Sequence, residues 1–118
     1  MELAKEFGFE SAHSLPNVPE GHKCARVHGH SFRVVIHVEG PVGEESGWVM
    51  DFADLEEAVQ PTVDALDHRH LNDIAGLENP TSEHIATWIW RRIVDGLPGL
   101  SAVEVRETCT NACIYRGV

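Results

Sequence analysis

The sequence has 118 residues and a formal net charge of −10, from 9 basic and 19 acidic side chains. This length predicts a single domain over residues 1–118, and the charge excludes a protein that coats nucleic acid through a broad basic surface. The chain has three cysteines and no Cys-x-x-Cys spacing, which indicates a cytoplasmic protein without a disulfide framework. Its first residues are charged and it has no long apolar run, so neither a signal peptide nor a membrane partner is expected.

The first half of the chain predicts two long strands and a short one. Apolar and polar residues alternate over residues 3–13 and again over residues 28–39, as they do on half-buried strands. The intervening residues 14–27 are rich in proline, asparagine and glycine, which favours a loop. Residues 48–50, Trp-Val-Met, predict a third, short strand after a glycine-rich turn.

Two helices are predicted after these strands. The first begins near Asp51 or Asp54, and Pro61 inside its apolar pattern should kink it or begin a second segment, since proline has no N–H to donate. The second begins after Thr81, a preferred cap residue, and ends at the Gly-Leu-Pro-Gly stretch of residues 96–99.

A last strand over residues 102–108 and a strand-like segment at residues 113–115 complete the pattern. The resulting order is strand, strand, strand, helix, helix, strand. This order predicts an α+β fold in which two helices cover one face of an antiparallel sheet.

Three histidines are predicted to share the inward face of the first two strands. His28 and His30 are separated by one residue, and residues i and i+2 of a strand project to the same side. His13 is in phase with Phe7 and Phe9 on the preceding strand. Three neutral imidazoles without a fourth protein ligand are typical of a catalytic zinc ion with an open position. The alternative is a chance pair in a chain that has eight histidines.

Cys24 lies four residues before His28, in the loop beside this predicted cation. A thiol close to a metal ion or a cationic group deprotonates more readily and becomes a usable base or nucleophile. The alternative is a buried, inert cysteine, which is the commoner role of a lone cysteine.

Asp67 and His68 close the first predicted helix. An aspartate that holds a histidine in one tautomer would allow the histidine to relay a proton. Because adjacent residues of a helix diverge by about 100°, the two side chains could couple only where the helix frays. The alternative is that the basic residues after Asp67 lie at a helix C-terminus for electrostatic reasons alone.

Glu107 is predicted to face inward on the last strand, in phase with Val103 and Val105, whereas Glu104 and Arg106 face outward. An unpaired buried carboxylate is costly, so a ligand with adjacent N–H donors could pair with it. The alternative is that Glu107 lies in solvent at a frayed strand end.

Six short sequence motifs together indicate a specific protein family. In chain order they are Phe9-Glu10-Ser11-Ala12-His13, Cys24-x-x-x-His28-Gly29-His30, Met50-Asp51-Phe52-x-Asp54-Leu55, Leu66-Asp67-His68-x-x-Leu71-Asn72, Asn79-Pro80-Thr81-x-Glu83 and Glu107-Thr108 followed by Ile114-Tyr115-Arg116-Gly117. Together they resemble the 6-pyruvoyl-tetrahydropterin synthase family, and most closely its bacterial 6-carboxytetrahydropterin synthase branch of queuosine biosynthesis.

The resemblance implies a T-fold, or tunnelling fold, whose sheets join between subunits into a barrel with active sites at the interfaces. It therefore implies a homo-oligomer, a hexamer or a tetramer. The substrate would be 7,8-dihydroneopterin triphosphate, and the products 6-carboxy-5,6,7,8-tetrahydropterin, acetaldehyde and triphosphate. Two alternatives stay open: another reaction of the same family, such as 6-pyruvoyl synthesis or an aldolase-like cleavage, or a T-fold protein that only binds a pterin, a purine or zinc.

The resemblance also implies which residues act. The zinc ligands would be His13, His28 and His30, the catalytic residues Cys24, Asp67, His68 and Glu107, and the pterin-binding residues Glu107 and Thr108. Asp67 and His68 would come from a neighbouring subunit and assist Cys24, the proton acceptor. Zn²⁺ would polarise hydroxyl and carbonyl oxygens of the substrate side chain.

Overall fold

The computed structural model describes residues 1–118 and contains four strands and two helices. In chain order these are β1 (Glu2–His13), β2 (His28–Glu39), α1 (Phe52–Leu66), α2 (Ser82–Ile93), β3 (Leu100–Arg106) and β4 (Cys113–Tyr115), with short 3₁₀ turns at Lys23–Ala25, Leu71–Asp73 and Val94–Gly96. The strands form one antiparallel sheet in the order β1-β2-β3-β4. Neither helix combines the length and the apolar composition needed to cross a bilayer.

The long β1–β2 pairing brings the apolar residues of both strands to one face of the sheet. Phe7 lies opposite Val34, Phe9 lies opposite Phe32, and the register continues to the strand ends. These side chains are buried against the two helices, where the core of the protein lies. The alternation in the sequence therefore predicted both the strands and the face that is buried.

Both helices begin at residues whose side chains satisfy free backbone N–H groups. Asp51 accepts from the N–H of Ala53 at the start of α1, and Thr81 accepts from the N–H of His84 at the start of α2. The prediction of a second segment at Pro61 is wrong, because α1 continues unbroken from Phe52 to Leu66. Pro61 and Glu57 both lie on the exposed side of the helix, where water can reach the carbonyl that proline leaves without a donor.

The predicted strand at residues 48–50 is not formed. These residues make a bend whose hydrogen bonds are local, since the carbonyl of Trp48 accepts from Gly43 and its N–H donates to the Ser46 hydroxyl. The Trp48 side chain is half exposed. Aromatic and β-branched residues favour a strand only where a neighbouring strand is available to pair with them.

The end of β3 also differs from the prediction. The strand stops at Arg106, so Glu107 and Thr108 lie in the bend that follows it. Glu104 projects outward as predicted, but it is buried there, because its carboxylate accepts from Arg106 Nε at 2.5 Å and faces His37 Nε2 at 3.7 Å. The outward face of the sheet thus carries a compact charged network.

Candidate active site

The pairing of β1 with β2 brings His13, His28 and His30 together at one end of the sheet. His13 lies directly opposite His28, and His30 follows two residues later on the same face. Each imidazole offers a ring nitrogen, and these three atoms lie within 4.8 Å of one another. The ring centroids are 4.6 to 5.2 Å apart. The three histidines could therefore hold a metal ion.

Hydrogen bonds fix the orientation of two of these rings. Nδ1 of His13 donates to the carbonyl of Pro80 at 2.8 Å, and Nδ1 of His28 donates to the carbonyl of Arg26 at 2.7 Å. Because a carbonyl only accepts, each Nδ1 carries the proton and each Nε2 keeps a free lone pair.

Two ring nitrogen atoms of the cluster are unsatisfied within the chain. Nε2 of His13 and Nε2 of His30 are buried without a hydrogen-bond partner. Burial lowers the pKa of His13, although its bond to Pro80 and the charge of Glu107 act in the opposite direction. A neutral imidazole with a buried, unpaired lone pair is the form that binds a divalent cation.

A cleft of about 490 Å³ opens in front of this cluster. It is lined by side chains from three parts of the chain: Leu15, Lys23, Cys24, His28, His30, Glu107, Thr108 and Asn111. Cys24 is a free, half-buried thiol. Its backbone is fixed on both sides, because its N–H donates to Nδ1 of His22 at 3.0 Å and its carbonyl accepts from Leu15 at 2.8 Å. The structure thus brings Cys24 to the predicted metal cluster.

Glu107 lies in the same cleft, one residue beyond the end of β3. Its Oε1 accepts from the hydroxyl of Ser82 at 2.8 Å, and its Oε2 lies 3.8 Å from Nε2 of His30. The Glu107 side chain is only 26% exposed. The carboxylate is thus held inside the cleft rather than free in solvent, and Thr108 lies beside it.

Asp67 and His68 do not line this cleft. They follow the last residue of α1, where Asp67 accepts from Nδ1 of His68 at 2.8 Å and from the N–H of Glu10 at 2.9 Å. The bond from Glu10 and then the bond from His68 lower the pKa of Asp67. The His68 side chain is 79% exposed. Within one chain, the pair is therefore coupled but turned towards solvent.

Three groups of the site were not identified from the sequence. The Pro80 carbonyl orients His13, the Ser82 hydroxyl orients Glu107, and Lys23 lines the cleft beside Cys24. Pro80 and Ser82 lie at or just before the start of α2, 67 and 25 positions from the side chains that they orient. No local pattern predicts such contacts, although the Asn-Pro-Thr-Ser stretch did mark the helix start. Lys23 could have been noticed as the neighbour of Cys24.

Comparison with protein families and curated proteins gives consistent results. The family model described as 6-pyruvoyl tetrahydropterin synthase matches residues 2–118. A Synechocystis protein named 6-carboxy-5,6,7,8-tetrahydropterin synthase is 52% identical over 119 residues, which cover 96% of this chain and 91% of that protein. A Pyrococcus furiosus protein named dihydroneopterin monophosphate aldolase is 43% identical over 91 residues, 77% of this chain and 73% of that protein.

A solved structure has the same architecture. The 6-pyruvoyl tetrahydropterin synthase of Caenorhabditis elegans superposes with a TM-score of 0.91 at 25% sequence identity, over 100% of this chain and 96% of that one. Sequence and structure therefore point to the same group of proteins.

Proposed function

Because this chain belongs to the 6-pyruvoyl tetrahydropterin synthase family of T-fold, lyase-type enzymes, we propose that it is a zinc-dependent 6-carboxytetrahydropterin synthase. It would convert 7,8-dihydroneopterin triphosphate and water to 6-carboxy-5,6,7,8-tetrahydropterin, acetaldehyde and triphosphate. One observation carries this proposal: a single cleft, lined by His28 and His30 of the three-histidine cluster, also contains a free thiol and an oriented carboxylate. The 52% identity to a relative of that name supports the choice of reaction.

The metal in this proposal is Zn²⁺, held by Nε2 of His13, His28 and His30. The oriented rings and the buried free nitrogens fit such an ion. Three imidazole ligands suit a zinc ion that keeps one position open for substrate. When bound, zinc supplies Lewis-acid polarisation of the hydroxyl and carbonyl oxygens of the substrate side chain.

Glu107 is the group that would recognise the pterin ring. A pterin presents an amino group and a ring N–H along one edge, and a carboxylate can accept from both. The Ser82 hydroxyl donates to Oε1 and fixes the orientation of the carboxylate. Thr108, beside Glu107 in the cleft, would contact the bound ring.

Cys24 would accept and return the protons that the rearrangement of the side chain requires. Asp67 and His68 of a neighbouring subunit would assist it in a homo-oligomer, a hexamer or a tetramer, with active sites at subunit interfaces. The exposed His68 supports this assignment, because Asp67 binds Nδ1 of a ring that is otherwise open to solvent. A histidine held in one tautomer in this way is suited to proton transfer.

The same proposal includes the setting of the enzyme. Residues 1–118 would form one T-fold domain, a cytoplasmic protein that takes a small pterin triphosphate as substrate. Its product would enter queuosine biosynthesis, a tRNA modification pathway, without the enzyme itself binding nucleic acid.

A second candidate is another cleavage of the pterin side chain, either 6-pyruvoyl synthesis or an aldolase-like reaction. The 43% identity to a protein named dihydroneopterin monophosphate aldolase supports the aldolase-like alternative. A protein that only binds a pterin or a purine is less consistent with a free thiol in the cleft.

The decisive experiment is product analysis. Zinc-loaded protein is incubated with 7,8-dihydroneopterin triphosphate, and the products are identified by mass spectrometry. The proposal requires 6-carboxytetrahydropterin together with acetaldehyde. A 6-pyruvoyl or hydroxymethyl product would assign the second candidate, and absence of turnover at full zinc occupancy would leave a binding protein.

A further inference from the structure

Lys23 is the remaining charged residue of the cleft, and neither the metal cluster nor the pterin contact accounts for it. We propose that Lys23 binds the phosphorylated end of the substrate and sets the preference of the site for phosphorylated over unphosphorylated pterins. This inference rests on the proposed function, because it takes the pterin to be held at Glu107.

The sheet order places the turn that carries Lys23 on the β1 side of the histidines and the end of β3, which Glu107 follows, on the other side. In the order β1-β2-β3-β4, His28 and His30 lie on β2, between the two neighbouring strands. Glu107 follows β3 on one side, whereas Lys23 belongs to a turn that is tied to the residues after β1. The tie is the hydrogen bond from the N–H of Leu15 to the carbonyl of Cys24 at 2.8 Å.

This arrangement matches the order of groups in the substrate. The ring edge that Glu107 would bind lies at one end of the molecule, and the phosphates lie at the far end of the side chain. A substrate held at Glu107, with its side-chain oxygens at the histidine cluster, therefore extends towards the wall that carries Lys23 and Cys24. The phosphates then reach the neighbourhood of the lysine ammonium group.

The electrostatics of the chain make this lysine important. With a net charge of −10 the protein repels anions, so an anionic substrate needs a local cation. Lys23 is the only lysine or arginine among the residues that line this cleft, and no carboxylate lies within ion-pair distance of it. Arg106, the basic residue nearest to Glu107 in sequence, is already paired with Glu104. Lys23 is thus free to bind phosphate as a point charge.

The fold also holds the backbone turn that carries Lys23. Lys23 begins the 3₁₀ turn Lys23–Ala25, which the side chain of His22 caps through the N–H of Cys24. The same turn positions the thiol. Phosphate binding at Lys23 would therefore hold the substrate side chain next to Cys24, which couples recognition of the phosphates to the placement of the reacting carbons.

The test compares two fluorescent, oxidised pterins, neopterin triphosphate and neopterin, on the zinc-loaded protein. Lys23→Gln should weaken binding of neopterin triphosphate about 10-fold and leave binding of neopterin unchanged. Lys23→Arg should retain the preference. Arg91→Gln removes the same charge from an exposed position on α2, outside the cleft, and should change neither affinity. The preference should also shrink at high salt in the wild type but not in Lys23→Gln.

Each outcome decides the inference. Equal effects of Lys23→Gln on both pterins, or none, would overturn it and leave the proposed function standing. A wild-type protein that binds neither pterin would overturn both. A triphosphate preference that depends on Lys23, without formation of 6-carboxytetrahydropterin, would support the phosphate site and reject only the proposed reaction.

Discussion

Asp67 and His68 are adjacent in sequence and joined by a hydrogen bond of 2.8 Å from His68 Nδ1 to the Asp67 carboxylate. Two neighbours on a regular helix could not make this contact, because their side chains diverge. The contact forms because α1 ends at Leu66 and His68 adopts a left-handed backbone conformation, with φ of 55°. The second carboxylate oxygen accepts from Glu10, which ties the pair to β1.

This relationship predicts how stability depends on pH. The pKa of Asp67 is lowered from its ordinary value of 3.8, mainly by the bond from Glu10 and then by His68. A lowered pKa stabilises the fold above the ordinary pKa, and that contribution is lost as the pH falls through the folded-state value. The free energy of unfolding of Asp67→Asn should therefore lie below that of wild type by a constant amount above about pH 5, and the gap should narrow below about pH 4.

Urea denaturation across this pH range measures the difference in free energy of unfolding between wild type and Asp67→Asn. Glu57→Gln, on the exposed face of α1, is the control for loss of one negative charge. A gap that is the same at low and at neutral pH would mean that the Asp67 carboxylate does not stabilise the fold through its charge.

The histidine cluster gives a second prediction. Replacing His28 or His30 by alanine should remove most bound zinc and abolish activity, because two imidazoles hold the ion poorly. His37→Gln is the matched control, since His37 lies on the same strand but faces Glu2 and Glu104 on the opposite side of the sheet. Metal content by atomic absorption and turnover provide the two readouts. Zinc loss in His37→Gln with retention in His28→Ala would contradict the metal assignment.

The sequence predicted much of this fold because alternation depends only on local chemistry. The two-residue alternation predicted β1 and β2, and its phase predicted that His13, His28 and His30 share one face of the sheet. The T-fold followed from the family resemblance and is confirmed by the structural match.

The sequence-based predictions were wrong where a strand or the burial of a side chain depends on distant parts of the chain. Whether residues 48–50 pair as a strand depends on a free sheet edge, and whether β3 continues through Glu107 depends on its neighbours. Outward projection of Glu104 was predicted correctly, but its burial follows from Arg106 and His37, which cover it. The hydrogen bond from Ser82 to Glu107 likewise joins two residues that are 25 positions apart in the sequence.

The thiol gives a third prediction. Cys24→Ala should retain zinc and bind pterins normally but lose turnover by roughly 10²- to 10⁴-fold, the contribution typical of a general base. Cys109→Ala is the control, because Cys109 is an exposed thiol outside the cleft. Single-turnover kinetics and metal content are measured together. Loss of zinc in Cys24→Ala would instead make Cys24 a fourth ligand and the site a closed, structural one.

Glu107 gives the last prediction. Glu107→Gln preserves the volume of the side chain but replaces one acceptor by a donor, which sets an N–H against an N–H of the pterin edge. A charge-assisted hydrogen bond contributes about 1.5–3 kcal/mol, so pterin binding should weaken by roughly one to two powers of ten. The fold and the zinc content should be retained, because Glu107 lies outside β3 and the three histidines do not require it as a ligand.

The choice of control for Glu107 follows from the structure. Glu104 is unsuitable, although it faces outward, because its buried carboxylate binds Arg106 and its replacement would disturb the sheet. Glu57→Gln is the control, because it removes one negative charge from the exposed face of α1 and should leave pterin binding unchanged. Ser82→Ala adds a graded test, since it removes only the hydroxyl that orients Oε1, and should weaken pterin binding less than Glu107→Gln. Fluorescence titration with pterins measures all three, and an unchanged affinity in Glu107→Gln would show that the ring is recognised elsewhere in the cleft.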